Sequence, residues 1–224
     1  ELEAAKGRIE EVLEIRRRTA DWAGQATCFV GLGAIRYMEG DLDGALEGWR
    51  EGLALAEYAG DRDLMGALLN NIGEVELEQG DHVRAKVTLT DALSVTRDTG
   101  DQRTAADVAR NLAALSATLG DFDAAMTQID EAQAICEAIG ARPALGQVLR
   151  TRATILSQRA SPGAGVVATG DPAGALFERA IALFDGLGDQ MELSRTVSDY
   201  AEHLSRHGDE AGLTRLRATW PDAK

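Results

Sequence analysis

The dipeptide Gly-Asp stands at 40–41, 60–61, 80–81, 100–101 and 120–121, a strict step of 20 residues. Gly140-Ala141 keeps the step, and Gly170-Asp171, Gly188-Asp189 and Gly208-Asp209 follow after an insertion. Glycine takes the left-handed backbone conformation that closes one helix, and aspartate caps the start of the next. Between the marks lie stretches of helix-forming composition without an internal proline. Pro143 is the exception, and it falls where a first-turn proline is tolerated. The punctuation predicts an all-α chain of about eleven antiparallel helices.

The repeating unit is two helices, because alternate segments differ. Ala5, Ala45, Ala85 and Ala125 recur at 40, each followed four residues later by a large side chain: Ile9, Trp49, Leu89 and Ile129. Gly33, Gly73, Ala113 and Ala153 recur at the same period, midway along the partner helices. A small residue there admits a neighbouring helix at close range. The next equivalent is Ala201, a step of 48, and the extra eight residues fall in the Pro/Gly-rich stretch 161–170. The expected organisation is one solenoid over 1–224. Residues 1–19 form an orphan second helix, and helix pairs follow at 20–59, 60–99, 100–139, 140–187 (with the loop insertion 161–170) and 188–220. The phase reads as a piece of a longer array, with Leu2, Ala5, Ile9 and Leu13 of the orphan helix lacking part of their cover.

Phe29 with Leu32-Gly33, Ala45 and Trp49 resembles the tetratricopeptide repeat pattern. Ile72-Gly73 with Ala85 and Leu89, and Leu112-Ala113 with Ala125 and Ile129, repeat it. The period of about 40 exceeds the usual 34, and Gly-Asp replaces the proline that ordinarily closes the repeat. The pattern is similar to the long repeats of kinesin light chains and of bacterial regulators, regulatory ATPases and kinases with helical-repeat tails. The resemblance implies a right-handed alpha-alpha superhelix whose concave groove takes extended peptides.

The chain carries 23 Lys+Arg against 37 Asp+Glu, a net charge of −14. This balance repels nucleic acid. No run approaches the roughly 18 apolar residues of a membrane span, and no signal-peptide pattern opens the chain. Cys28 and Cys136 match no metal or redox spacing and read as small buried hydrophobes of a reduced, cytoplasmic protein. With aromatics at 4%, the core must be close-packed small aliphatics.

Little points to catalysis, and no cofactor is expected. Three histidines offer no plausible Ser/His/Asp order and no Cys/His pairing. His203 and His207 share a helix face, but His203 occupies an apolar-phase position and His207 the last turn before Gly208, where a cation suits the helix dipole. Gly163–Gly170 is not followed by the Gly-Lys-Ser/Thr of a phosphate loop, and Arg16-Arg17-Arg18 reads as a helix-end charge run.

The informative surface is what remains once the packing face is assigned. Leu64, Leu68, Ile72 and Val75 make one apolar stripe. Ala67, Asn71, Glu74 and Glu78 fall on another face, with Asn70 beside them. One step on stand Asp107, Asn111, Ala114 and Thr118 with Arg110, then Gln147, Thr151, Thr154 and Gln158 with Arg150. The last set is Arg195, Asp199, Glu202 and Arg206 with Ser198. By the resemblance this stripe lines the peptide groove. The expected peptide-binding residues are Asn70, Asn71, Glu74, Asp107, Arg110, Asn111, Gln147, Arg150 and Thr151. An asparagine amide offers both a donor and an acceptor to a peptide backbone. Neighbouring helices about 8–10 Å apart allot roughly three ligand residues to each repeat. Arg110 and Arg150 would meet acidic side chains or a C-terminal carboxylate. The groove turns apolar at Thr27, Val30, Gly31, Ala34 and Met38. The other reading of the stripe is a plain solvated face on which Arg110 pairs with Asp107.

The function so implied is a non-catalytic protein-interaction module, the sensor part of a larger bacterial signalling protein. The alternative is an internal scaffold that docks and restrains an ATPase or kinase domain of its own chain. The exposed N-terminal helix also offers a face for dimer formation. On the groove reading, Arg110→Glu with Arg150→Glu abolishes binding and leaves the fold intact.

Overall fold

The computed structural model describes residues 2–160 and 171–221, so the expected loop insertion 161–170 lies outside the described residues. Among the described residues there are eleven α-helices and no strand. After α1 (Leu2–Arg18) come α2 (Trp22–Met38), α3 (Leu42–Ala59), α4 (Arg62–Glu78), α5 (His82–Thr99) and α6 (Gln102–Thr118). They are followed by α7 (Phe122–Ile139), α8 (Arg142–Arg159), α9 (Pro172–Leu187), α10 (Gln190–His207) and α11 (Glu210–Thr219). The chain forms two compact units, Glu1–Asn111 and Leu112–Lys224.

The helix ends follow from the punctuation. Asp41, Asp61, Asp81, Asp101, Asp121, Asp189 and Asp209 each accept a hydrogen bond from the backbone N–H three residues on, and so does Asp21 without a glycine before it. A cap of this kind contributes about 1 kcal/mol. Every glycine of the series but Gly170, which is outside the described residues, has a positive φ, from Gly140 at 68° to Gly120 at 82°. Two starts depart from the pattern. Ala141 has no capping side chain and Pro143 stands in the first turn instead. Asp171 occupies the cap position of α9 but makes no cap bond there.

In the first unit α2 packs on α3 and α4 on α5. The core is Ala26, Ala45, Leu46, Trp49, Ala56, Leu68, Ile72 and Val75. The glycine slots are close approaches. A Cβ on Gly33 would lie 2.3 Å from Trp49 Nε1, and one on Gly73 would lie 2.6 Å from Leu89 Cγ. The indole is fixed in place because Nε1 donates to the Val30 carbonyl at 3.1 Å. Helix α1 is covered unevenly: Leu2 is 36% exposed, but Leu13, expected to lack part of its cover, is buried against Cys28 and Phe29. Ala5 and Ile9 are only half-buried, while Ala45, Ala85, Leu89, Ala125 and Ile129 are fully buried. Ile15 is 59% exposed. Cys28 and Cys136 are both buried.

The second unit centres on Leu149, Ala180, Phe184, Leu193, Val197 and Leu204, closed by Leu213 and Leu216 of α11. Here a Cβ on Gly146 would meet the Phe184 ring at 2.6 Å. Small residues on one helix and one large ring on the next let a core with few aromatics pack at interior density.

Candidate functional site: the polar face of the even-numbered helices

In the first unit the stripe is built on α4 and the start of α6. Asn111 Nδ2 donates to Asn70 Oδ1 at 3.0 Å, and both side chains are buried. Each amide has one further edge, Asn70 Nδ2 and Asn111 Oδ1, with no hydrogen bond among the described residues. One turn along, Arg110 reaches Glu74 Oε1 at 3.3 Å, with 9% of the Arg110 side chain exposed. Asp107 lies 3.7 Å from Arg103 of its own helix. Burial pushes the Asp107 carboxyl above its ordinary range, against the opposing pull of Arg110 and Arg103. Asn71 and Glu74 are half-buried and face the same surface.

In the second unit the stripe runs over α8 and α10. Arg150 Nη1 lies 3.0 Å from Glu192 Oε2, and Nε lies 3.7 Å from Asp199 Oδ2. Arg195 also approaches Glu192, at 3.3 Å. Burial raises the Asp199 carboxyl, with Arg150 pulling the other way. Gln147 and Thr151 are half-buried. A small polar cavity of about 70 Å³ opens beside Thr154, Ser157, Asp199 and His203. His203 is buried, with Nδ1 2.8 Å from Ser157 Oγ and Nε2 3.0 Å from Asp171 Oδ2. The Asp171 carboxylate lies over the first turn of α9, against Gly174, and its Oδ2 meets the imidazole.

The structure therefore brings Asn70, Asn111, Glu74 and Arg110 together in one place and Arg150 with Glu192 in another. Asn71, Gln147 and Thr151 form no recorded side-chain bond among the described residues. The picture of a plain solvated face fails at 110 and 111, which are 8% and 1% exposed. The expectation that reversing Arg110 and Arg150 leaves the fold intact is also revised. A glutamate at 110 would stand against Glu74 in a buried setting, and one at 150 would stand between Glu192 and Asp199. Glu192 went unread in the sequence. Its signal was a carboxylate in the slot that Leu64, Thr104 and Ala144 fill in earlier repeats.

No model of a known protein family matches the sequence, and no curated protein matches it. Solved structures do match. BtubC (BKLC) from P. vanneervenii aligns over 99% of this chain and 92% of its own, with TM-score 0.70 and 20% identity. Aspartyl phosphate phosphatase F from Bacillus subtilis aligns over 97% of this chain with TM-score 0.75 and 14% identity. A Rap protein complexed with competence and sporulation factor aligns over 89%, with TM-score 0.74 and 13% identity. The chain covers 53% and 56% of those two proteins, about half their length. The fold is a tetratricopeptide-like helix-pair array. Among the described residues, no helix of this array is long and apolar enough to cross a membrane.

Proposed function

We propose that the chain is a non-catalytic interaction module that binds an extended peptide or partner segment on the polar face that each unit carries on its even-numbered helices. It would serve as the sensor part of a larger signalling protein. The observation that carries this reading is the buried Asn70–Asn111 pair. Two amides are taken out of water for one mutual hydrogen bond, and each keeps an unused donor or acceptor edge. Either edge can pair with a ligand's backbone amide. Asn71 and Glu74 stand on the same face, ready to extend the contact by another peptide unit. The structural likeness to a Rap protein that carries a bound factor supports the reading at the level of fold.

The arginines refine the ligand's chemistry. Arg110 and Arg150 are already neutralised by carboxylates of the neighbouring helix, so an acidic ligand group must displace Glu74 or Asp199 to reach them. The test is panning a random peptide library on the wild-type chain and on Asn71→Ala with Thr151→Ala, two half-buried positions whose side chains make no hydrogen bond with any described residue. Sequences enriched by the wild type and lost by the double variant are expected. Enrichment that survives the double variant undiminished would remove the peptide from this face.

A further inference from the structure

The second unit also holds a larger cavity. It has a volume of about 390 Å³ and lies between α9 and α11, with Tyr200 of α10 lining it between them. The volume is within the range of small-ligand sites, roughly 300–1,000 Å³.

The lining has an apolar body and a charged rim. Ile181 and Leu216 are buried against the core and show one edge to the cavity, and Trp220 closes one end. The Tyr200 hydroxyl donates to Glu178 Oε1 at 3.3 Å. Burial pushes that phenol up to about 12, so it stays a neutral donor and keeps Glu178 engaged. Two lining residues of opposite charge remain. Asp185 on α9 and Arg215 on α11 make no side-chain hydrogen bond or ion pair with any described residue. An acid and a base therefore face one cavity from its two walls without meeting each other.

We infer that this cavity binds a small apolar zwitterion, an α-amino acid or dipeptide with a large hydrophobic side chain. The ligand ammonium pairs with Asp185, its carboxylate with Arg215, and its side chain lies on Ile181, Leu216 and the Trp220 ring. A purely apolar ligand would leave both charges idle, and a simple anion or cation would satisfy only one. A charge-assisted bidentate contact to Arg215 favours a carboxylate, and the aromatic end wall favours a flat or branched apolar group. The inference does not depend on peptide binding at the polar face, none of whose residues line this cavity.

The test uses the three indole N–H signals of the intact chain in an NMR titration. Trp220 reports on the cavity, and Trp22 and Trp49 of the other unit serve as internal references for folding. The probes are L-phenylalanine, the dipeptide Leu-Phe, phenethylamine, which lacks the carboxylate, and 3-phenylpropionate, which lacks the ammonium. The Trp220 signal should move with at least one zwitterion, and each half-ligand should bind about tenfold more weakly. Comparing phenylalanine with the dipeptide distinguishes the two sources. In Arg215→Met, phenylalanine should bind no better than phenethylamine, and in Asp185→Asn no better than 3-phenylpropionate. Both positions are exposed, and unchanged Trp49 signals verify that the variants are folded. A Trp220 signal that no zwitterion moves, or half-ligands that bind as well as the whole, overturns the inference.

Discussion

The two units fill the same structural slot with different chemistry. Between α4 and α6 the slot holds a neutral amide pair, Asn70 and Asn111, beside a single ion pair, Arg110 with Glu74. Between α8 and α10 it holds an ionic group, with Arg150 set between Glu192 and Asp199. Asp199 stands in the register of Asn111, two steps on. The amide pair makes few demands: either member can be lost at the cost of one hydrogen bond and some desolvation. The ionic group is interdependent, because removing one charge strands another that has already left water. One repeat frame thus supports a joint centred on a neutral amide pair in one unit and a joint centred on buried charges in the other.

The widest separation between the joints should come from Glu192→Ala. The Glu192 side chain is 6% exposed, and its loss leaves Arg150 with only the longer contact to Asp199. The expected loss is about 3 kcal/mol in urea unfolding, the order seen when one partner of a buried ion pair is removed. Glu74→Ala should cost less, since the Glu74 side chain is 33% exposed and the buried Arg110 it leaves behind still has the Asp107 carboxyl beside it. Equal losses for the two variants would erase the proposed distinction.

A smaller effect tests the neutral joint. Asn111→Ala removes the 3.0 Å bond and leaves Asn70 Oδ1 buried without its donor, a loss of about 2 kcal/mol. Asn70→Ala with Asn111→Ala should cost less than the two single losses added together, because the second change removes a group that is already unpaired. The coupling expected from the double-mutant cycle is about 1 kcal/mol. Strict additivity would mean that the amides are held by their surroundings rather than by each other.

The joints also show what can be read from a sequence and what cannot. The frame was legible because it is periodic. Gly-Asp marks the helix ends, and the glycine slots at 33 and 73 are the close approaches to Trp49 and Leu89 that the pattern implies. The polar partners were harder. Spacing within one helix pointed Arg110 to Asp107, yet the arginine reaches Glu74, 36 residues earlier on the neighbouring even-numbered helix. An offset of 36 between α6 and α4 equals one repeat less one helical turn, so it follows from how these two equivalent helices stack rather than from either helix alone. Asp171 does stand at the cap position of α9, though without the cap bond. Its place after Gly170 marks a cap, and a buried imidazole 32 residues later meets the carboxylate.

The smallest expected effect lies in the titration of Asp107. Its carboxyl is raised above the ordinary range, burial outweighing the pull of Arg110 and Arg103. A carboxyl that is raised in the folded state binds its proton more readily there than in the unfolded chain. Its favourable contribution to stability is therefore complete below the unfolded value, about 3.9, and is lost as pH rises through the higher folded value. At neutral pH the ionised group is a net burden on the fold. Asp107→Asn removes that burden, so the variant should melt slightly above the wild type at pH 7. The gain should shrink as the pH is lowered through the carboxylate range, because the wild-type aspartate then becomes neutral as well. The check is a series of thermal melts across that range on both proteins. A variant that melts below the wild type at pH 7 would show that the 3.7 Å contact with Arg103 outweighs the cost of burial. The neutral joint would then owe part of its stability to a charge after all.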